Sequence, residues 1–394
     1  MKKSHTSIVQ REGCSNDMRL LLVNSVCGIR STGRIVADIA KEHEAKGWEV
    51  RIGYGRIAYV PGWCKKWAVR IGNRFDLLTH VLITRLWGDH SIGLCSRRAT
   101  KRFLEWAERY NPDVLWLHNI HGYYLNVEML FDWIKSRPNM QVKWTIHDCS
   151  AFTGRCGYFE RSGCQQWKTE CIKCPVECGY KSYFLLGGPG RMFRANKRAY
   201  LGVKNMTLIT VSNWLAGLVR QSFLGGYPIE VHRNKVDRSV FKPTPSDFRN
   251  KMGLSGKKII LGVASTWEDR KGLTDFVRLA MLLPDEWVIV LVGLSAKQIR
   301  KMPPKIIGLG KTNSIEELAG LYTTADVFFN PSLEETFSMV NAEACSCGTK
   351  VITYDSCAMP ESVEGFDNAI VLHGADKTPE GFLRALRAKG GNDR

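Results

Sequence analysis

Two glutamates spaced as Glu-x7-Glu, Glu335 and Glu343, are the residues of this chain whose types and spacing most clearly suggest chemistry. The apolar run at 325–330 predicts a buried strand, and 340–347 predicts a helix that ends at Gly348. Glu335 would then lie on the loop that enters the helix, and Glu343 one or two turns inside it. A helix N-terminus attracts phosphate, so carboxylates placed there must face hydroxyl groups. A nucleotide-sugar offers both groups; the alternative is two solvated surface charges.

The pattern resembles the Glu-x7-Glu signature of retaining glycosyltransferases of family four. Their fold is GT-B, an α/β fold of two doubly wound Rossmann-like domains that face each other across a cleft. The resemblance implies that Glu335 contacts the donor sugar and Glu343 the ribose. It also implies donor contacts from Thr336, Phe337 and Ser338, which stand where many members have Gly-Phe-Gly.

A cationic pair follows a second predicted strand, in the segment 262–272. Lys271 falls on the Lys-Gly of the family, where a lysine and an upstream arginine neutralise the donor diphosphate. Thr266 occupies the usual arginine position, so we expect the adjacent Arg270 to supply the missing charge. The departing nucleoside diphosphate accumulates negative charge, which cations must stabilise if no metal does. No Asp-x-Asp-like motif accompanies these residues, so we expect no catalytic metal; the alternative for the segment is a solvated turn.

Two series of strands and helices predict the domain organisation. The first begins with a strand at 18–25, a glycine loop at 28–33, a helix at 34–46 and a strand at 48–54. This βαβ unit builds a parallel sheet with its ligand crevice at the carboxyl ends of the strands, and we expect Gly33 to contact the donor there.

The linker between the two series is the proline-containing stretch 242–247. The predicted parts are a flexible tail, an acceptor-side domain with a Cys-rich insertion at about 149–178, a donor-binding domain, and a short C-terminal helix and tail; they span 1–17, 18–243, 244–375 and 376–394. Two unrelated Rossmann-like domains would give the same pattern.

Three histidines and an aspartate follow two strands of the first series. The segments Leu-His-Asn-Ile-His-Gly-Tyr-Tyr, with His118 and His121, and His-Asp-Cys-Ser-Ala-Phe-Thr-Gly, with His147 and Asp148, would open on the crevice. Both resemble segments of a bacterial branch of family four found among capsule and exopolysaccharide enzymes of the colanic-acid type. The resemblance implies that His147 meets the donor sugar. It places His118, His121 and Asp148 on the acceptor side.

Four cysteines form a compact set, Cys156-x7-Cys164-x6-Cys171-x2-Cys174. In a cytosolic protein such spacing favours zinc over disulfides. The same branch of the family shows a similar pattern, which implies a closed structural zinc site holding a loop near the acceptor side. The alternative is a group of reduced, packed cysteines.

The net charge of +18 is concentrated in the first part of the chain, since residues 1–250 hold 39 Lys and Arg against 20 Asp and Glu. No nucleic-acid-binding module is recognisable, so nucleic acid is not an expected partner. Segments 64–75 and 191–198 mix cations with aromatic residues, as interfacial helices do, which favours an anionic membrane surface. The alternative for each segment is a solvated basic face. No membrane span or signal core is present, so we expect a cytoplasmic protein, peripheral on the inner face of the plasma membrane.

The interpretation is a retaining glycosyltransferase that moves a sugar from a UDP- or GDP-sugar to a saccharide acceptor, lipid-linked, in surface polysaccharide assembly. Several family glycines are replaced, one by Lys235 and others within 356–361, and lysine adopts a positive φ at greater cost than glycine. Two alternatives stay open: a nucleotide-sugar epimerase of the same fold, and a catalytically weakened, zinc-stapled adaptor.

Overall fold

The structure, a computed structural model, describes residues 18–87, 96–154, 156–172, 174, 188–312 and 314–388, without the side chains of 85–87. The strands are short and mostly buried, as the apolar runs predict. They are β1 Arg19–Val23, β2 Glu49–Tyr54, β3 Ala68–Arg70, β4 Val114–Leu117, β5 Gln141–Ile146, β6 Met206–Thr210, β7 Ile229–Val231, β8 Lys258–Val263, β9 Trp287–Val292, β10 Ile306–Leu309, β11 Val327–Asn330, β12 Lys350–Tyr354 and β13 Ala369–Leu372.

Helices separate most of the strands, as parallel sheets require. They are α1 Arg30–Ala45, α2 Arg74–Trp87, α3 Arg97–Tyr110, α4 Val127–Lys135, α5 Pro189–Tyr200, α6 Asn213–Gln221, α7 Phe248–Lys251, α8 Leu273–Leu282, α9 Ala296–Ile299, α10 Ile315–Thr324, α11 Met339–Ser346 and α12 Pro379–Ala388.

The strands form two parallel sheets, which confirms the predicted α/β class. Their orders are β3-β2-β1-β4-β5-β6-β7 and β10-β9-β8-β11-β12-β13. In each sheet the order in which the chain adds strands reverses beside the first strand, between β1 and β4 in one sheet and between β8 and β11 in the other. Doubly wound sheets bind ligands at the carboxyl ends of the strands near such a reversal.

Two compact units divide the chain. Within the described residues, one comprises 18–146 and 188–208, and the other comprises 147–174 and 209–388. The Cys-rich segment is therefore grouped with the second sheet. The predicted domain boundary at residue 243 stays a prediction; residues 242–247 form no helix or strand, and α7 begins directly after them.

The second sheet is covered by apolar side chains on both faces. Along β9, Val288, Val290 and Val292 pack in one cluster with β8 and α10, whereas Ile289 and Leu291 pack in the other with α8 and α12. Successive strand residues point to opposite faces, so continuous apolar runs are what a sheet buried on both sides requires.

The structure corrects several predicted elements. Helix α1 begins at Arg30, not after the glycine loop, so Gly33 is a buried residue of the first helical turn. Segment 64–75 is not a continuous helix, because β3 occupies 68–70 and the next helix begins only at Arg74. Strands β3 and β13, both at sheet edges, were not predicted. Segment 191–198 does lie within a helix, α5.

Candidate active site

The two glutamates lie where the sequence placed them relative to the strand and helix. Strand β11 ends at Asn330, a loop carries Glu335, and helix α11 carries Glu343 in its second turn. Gly348 follows the helix with φ +81°, the left-handed conformation that favours glycine after a helix end. The first turn of α11 has neither an acidic residue nor a side-chain cap, so it leaves backbone amides available to an anion.

A buried asparagine holds this loop in shape. The Asn330 Nδ2 amine donates to Ser338 Oγ at 3.0 Å and to Asn341 Oδ1 at 2.7 Å. Its Oδ1 oxygen accepts from the Ser332 hydroxyl at 2.7 Å. The loop is thereby tied at both ends to one amide. Sequence reasoning did not single out Asn330, although a polar residue closing an apolar strand was the available signal.

The predicted cations meet the first glutamate. Lys271 Nζ donates to Glu335 Oε1, and Arg270 Nη1 lies 3.4 Å from the same oxygen. Arg270 Nη1 also donates to the carbonyl oxygen of Glu334 at 3.0 Å. The side chains of Lys271, Arg270 and Glu335 are only 18%, 20% and 10% exposed, so water screens these charges weakly.

Gly272 brings the cations to the glutamate loop. It has φ +73° and is the N-cap residue of α8. A Cβ at this position would lie 2.5 Å from the carbonyl oxygen of Pro331, so a larger residue would push the two segments apart. The Leu333 N–H donates to the Arg270 carbonyl at 2.8 Å and joins the same segments. In the Lys-Gly pair, the glycine therefore allows the two segments to approach, and the lysine supplies the charge.

The loop after β5 also contacts the glutamate loop, within the same compact unit. Thr336 Oγ1 donates to the carbonyl oxygen of His147 at 2.7 Å, and His147 itself is half-buried. Asp148 Oδ1 accepts from the Ser150 N–H at 2.9 Å and caps a short helical turn. The Thr336 contact places His147, a predicted donor residue, beside the loop that carries Glu335.

The second glutamate, Glu343, lies in a different environment. The Tyr322 hydroxyl donates to Glu343 Oε2 at 3.1 Å. Burial raises the pKa of Tyr322 well above its usual value, and the Glu343 carboxylate adds to the shift. Tyr322 therefore stays protonated and holds the carboxylate. Phe337 is half-buried on the loop, and the Ser338 hydroxyl accepts from Asn330.

The remaining predicted residues belong to the first compact unit. His118 is 2% exposed, and its ring stacks on Trp116 with centroids 5.8 Å apart. His121, three residues farther along the chain, is exposed. Gly33 contacts the preceding loop, where its carbonyl accepts from the Gly28 N–H at 3.1 Å. A Cβ on Gly33 would lie 3.0 Å from Val26, so packing alone accounts for a glycine there.

The predicted tetrathiolate zinc site is not assembled. The sulfurs of Cys156 and Cys174 lie 4.0 Å apart, whereas Cys171 Sγ accepts from the Gly154 N–H at 3.3 Å. Among the described residues, no group of three or more His, Cys, Asp or Glu side chains is placed to hold a metal ion. None of the four predicted ligands, Cys164 included, forms a disulfide bond. The arrangement therefore does not fit the four sulfur ligands of structural zinc.

Two replaced family glycines have different consequences. Lys235 does not take a positive φ, so its side chain causes no backbone strain. Cys357 does, with φ 54°, in the loop that follows β12. The next residue, Ala358, donates its N–H to the Glu335 carbonyl at 3.1 Å. The left-handed residue therefore adjoins the candidate site.

Solved structures with the same fold identify the architecture. Sucrose-phosphate synthase from Thermosynechococcus elongatus superposes with a TM-score of 0.66 at 14% identity, over 95% of this chain and 90% of that one. Anabaena HepE, solved with UDP and glucose, gives a TM-score of 0.60 at 14% identity over 95% and 90%. The fold is GT-B. The two parallel Rossmann-like sheets are the common framework of this GT-B chain and those enzymes.

Sequence comparison assigns the second sheet of this GT-B chain more narrowly. Residues 257–388 match the family described as glycosyl transferases group 1, and this stretch carries Arg270, Lys271, Glu335 and Glu343.

Two curated relatives point the same way. The putative colanic acid biosynthesis glycosyl transferase WcaC of Escherichia coli K12 is 26% identical over 64% of this chain and 62% of its own length. The α-galactosylglucosyldiacylglycerol synthase of Streptococcus pneumoniae is 33% identical over 38% of this chain and 43% of its own. The chain thus spans less than two thirds of either relative. Among the described residues, no helix is both long and apolar enough to cross a bilayer.

Proposed function

We propose that the chain is a retaining glycosyltransferase that moves a sugar from a UDP- or GDP-sugar to a saccharide acceptor. The observation that carries the proposal is the meeting of Lys271 and Arg270 on Glu335, in the loop that enters helix α11. Cations, a carboxylate and uncapped helix amides together match the two halves of a nucleotide-sugar, its diphosphate and its hydroxyl groups. The group 1 glycosyl transferase match covers this cluster.

The leaving group determines what the cations do. When the bond between the sugar carbon and the diphosphate oxygen breaks, its electron pair goes to the diphosphate. Lys271 and Arg270 neutralise that charge together with the amides of α11, so this step needs no metal ion. Because both side chains are largely shielded from water, their effect on the developing charge is strong.

The remaining donor contacts follow from the loop. Glu335 accepts hydrogen bonds from the transferred sugar, and Glu343 from the ribose. Thr336, Phe337 and Ser338 border the donor, and His147 meets the sugar from the loop that Thr336 holds. The donor role of Gly33 and the acceptor roles of His118, His121 and Asp148 stay predictions, and burial leaves the His118 ring little access to an acceptor.

The acceptor class follows from the curated relatives. One is named for colanic acid biosynthesis, and the other is a synthase of a glycosyl diacylglycerol. The first name indicates polysaccharide assembly, and the second indicates a saccharide carried on a lipid. We therefore infer a lipid-linked acceptor in surface polysaccharide assembly, of the capsule or exopolysaccharide kind, with the enzyme peripheral on the cytoplasmic face of the membrane.

Helix α2 supports the membrane assignment. Phe75, Leu78 and Leu82 recur at helical spacing and are 73%, 66% and 57% exposed, whereas His80 and Thr84 of the same helix are buried. Leu77, Val81 and Ile83 of the same helix are half-buried, so Phe75, Leu78 and Leu82 form a separate apolar stripe on the exposed face. With the excess cations of the first 250 residues, an outward apolar stripe fits an anionic lipid surface.

Sedimentation with vesicles tests the membrane assignment. Leu78→Glu should lower co-sedimentation with vesicles of phosphatidylglycerol and phosphatidylethanolamine, while the melting temperature stays near that of the parent chain. Met281→Glu, at a 75% exposed position of α8, is the matched control and should bind as the parent does. Equal binding of parent and Leu78→Glu would remove α2 from the lipid contact.

The activity is tested by a thermal-shift screen of nucleotide-sugars, followed by transfer with the stabilising donor. A ligand that binds only the folded chain raises its melting temperature by mass action. The anomeric configuration of the first product, read by NMR, decides retention. His147→Ala should keep the melting temperature and lose transfer. A chain stabilised by no UDP- or GDP-sugar would refute the proposal.

A further inference from the structure

An aromatic ring from the Cys-rich segment covers one of the candidate-site cations. The guanidinium carbon of Arg270 lies 4.1 Å from the centroid of the Tyr158 ring. This is well within the distance at which a cation and an aromatic face attract each other. Both residues belong to the same compact unit, although they are far apart in sequence.

The other contacts of Arg270 leave one side of its guanidinium available. Nη1 donates to the Glu334 carbonyl at 3.0 Å and lies 3.4 Å from Glu335 Oε1, while Nε lies 3.7 Å from Glu268 Oε2. Nη2 has no partner among the residues that the structure describes. A long arginine side chain loses considerable rotamer freedom when it is held in one place, so each fixed contact prepares the group for a ligand.

The ring is itself held in place from both sides. Phe159, the next residue, is 4% exposed and packs on Trp167 with ring centroids 5.1 Å apart. The backbone N–H of Arg161 donates to Glu334 Oε1 at 2.8 Å. The Cys-rich segment is therefore anchored both in its own aromatic cluster and on the loop that carries the two adjacent glutamates.

We infer that Tyr158 is a positioning residue that holds the Arg270 guanidinium toward the diphosphate of the donor. The inference rests on the proposed function and adds to it a role for the Cys-rich segment, which sequence reasoning placed near the acceptor. The ring face blocks one side of the guanidinium without offering a competing anion. The free Nη2 amine then points its hydrogen-bonding capacity at an incoming phosphate oxygen.

Nucleoside diphosphate binding tests the inference without requiring transfer. The parent chain is titrated with UDP and with GDP, and the tighter of the two is the probe. Tyr158→Leu should weaken the probe about tenfold, equivalent to about 1.4 kcal/mol for a shielded cation–π contact. Affinity for the corresponding nucleoside, which lacks phosphate, should not change. Tyr158→Phe keeps the ring and should bind the probe as the parent does.

Two controls separate positioning from general damage. Phe103→Leu disturbs the core of the other compact unit, where Phe103 is buried, and should lower the melting temperature while leaving affinity for the probe within about twofold. In an Arg270→Ala background, Tyr158→Leu should not weaken probe binding further, because the guanidinium that Tyr158 positions is absent.

The outcomes distinguish the inference from the proposed function. If the parent binds the probe and Tyr158→Leu binds equally well, the positioning role is refuted and the glycosyltransferase proposal stands. The positioning role is also refuted if Tyr158→Leu weakens binding of the nucleoside as much as binding of the nucleoside diphosphate. A parent chain that binds neither UDP nor GDP would overturn both.

Discussion

Replacing Glu335 by glutamine should change nucleoside diphosphate binding and sugar transfer in opposite directions. In the unliganded chain the Glu335 carboxylate accepts from Lys271 and lies beside Arg270, so it neutralises the cations that the diphosphate needs. The amide of Glu335→Gln is nearly isosteric and keeps an oxygen that can accept from Lys271, but it removes the negative charge. In the variant, the positive charges of Lys271 and Arg270 are no longer neutralised by Glu335 and can interact with the ligand.

The magnitude follows from Coulomb's law. Two unit charges about 6 Å apart repel by roughly 3 kcal/mol at an effective dielectric constant of about 20. The Glu335 side chain is only 10% exposed, so solvent screening removes little of this. Because each 1.4 kcal/mol is tenfold in affinity, UDP or GDP should bind Glu335→Gln about ten- to a hundredfold more tightly. Transfer should fall about ten- to a hundredfold, since a charged hydrogen bond to the sugar is lost.

Calorimetric titration of the free nucleoside diphosphate and initial rates of transfer measure the two effects. Glu334→Gln is the matched control, because its carboxylate accepts from the Arg161 backbone N–H rather than from a cation. It should change the affinity much less. Raising the ionic strength should reduce the gain in nucleoside diphosphate affinity only slightly, because these charges are shielded from solvent. Weaker diphosphate binding by Glu335→Gln would refute the reasoning and show that the carboxylate is required to orient Lys271.

Three further changes test other parts of the molecule. Lys271→Ala should lower kcat more than it raises the donor KM, because leaving-group charge is greatest in the transition state; steady-state kinetics with ordinary turnover would exclude that role. Glu343→Ala should weaken nucleoside diphosphate binding by about 1.5–3 kcal/mol in calorimetry, and Tyr322→Phe, which removes only the hydroxyl donor at 3.1 Å, should weaken it less. Burial lowers the pKa of His80 to about 4, so the unfolded chain binds a proton at a higher pH than the folded chain does. The free energy of unfolding should therefore fall by about 3 kcal/mol as the pH drops from about 6.5 to 4. Denaturant unfolding of His80→Gln across that range should lack this part of the pH dependence.

Much of the fold could be predicted because its signals are local. Strands β1 and β11 lie within the strands predicted at 18–25 and 325–330, since strands buried on both faces require unbroken apolar runs. The edge strand β3 was missed because the three residues Ala-Val-Arg lack such a run, whereas the apolar run Ala-Ile-Val-Leu of β13 was an available signal. The start of α1 was misplaced because Gly33 suggests a loop, whereas tertiary packing against Val26 selects a glycine inside the helix.

The sequence by itself determined the α/β class and the residue types of the candidate site, including the loop position of Glu335 and the proximity of Arg270 to Lys271 along the chain. Only the tertiary structure decided which charges meet, that Tyr158 covers Arg270, and that α2 leaves Phe75, Leu78 and Leu82 exposed. It also decided that the spacing of four cysteines does not assemble a tetrathiolate among the described residues. Periodicity and turn chemistry act over a few neighbouring residues, whereas each of these features depends on the packing of segments distant in the chain.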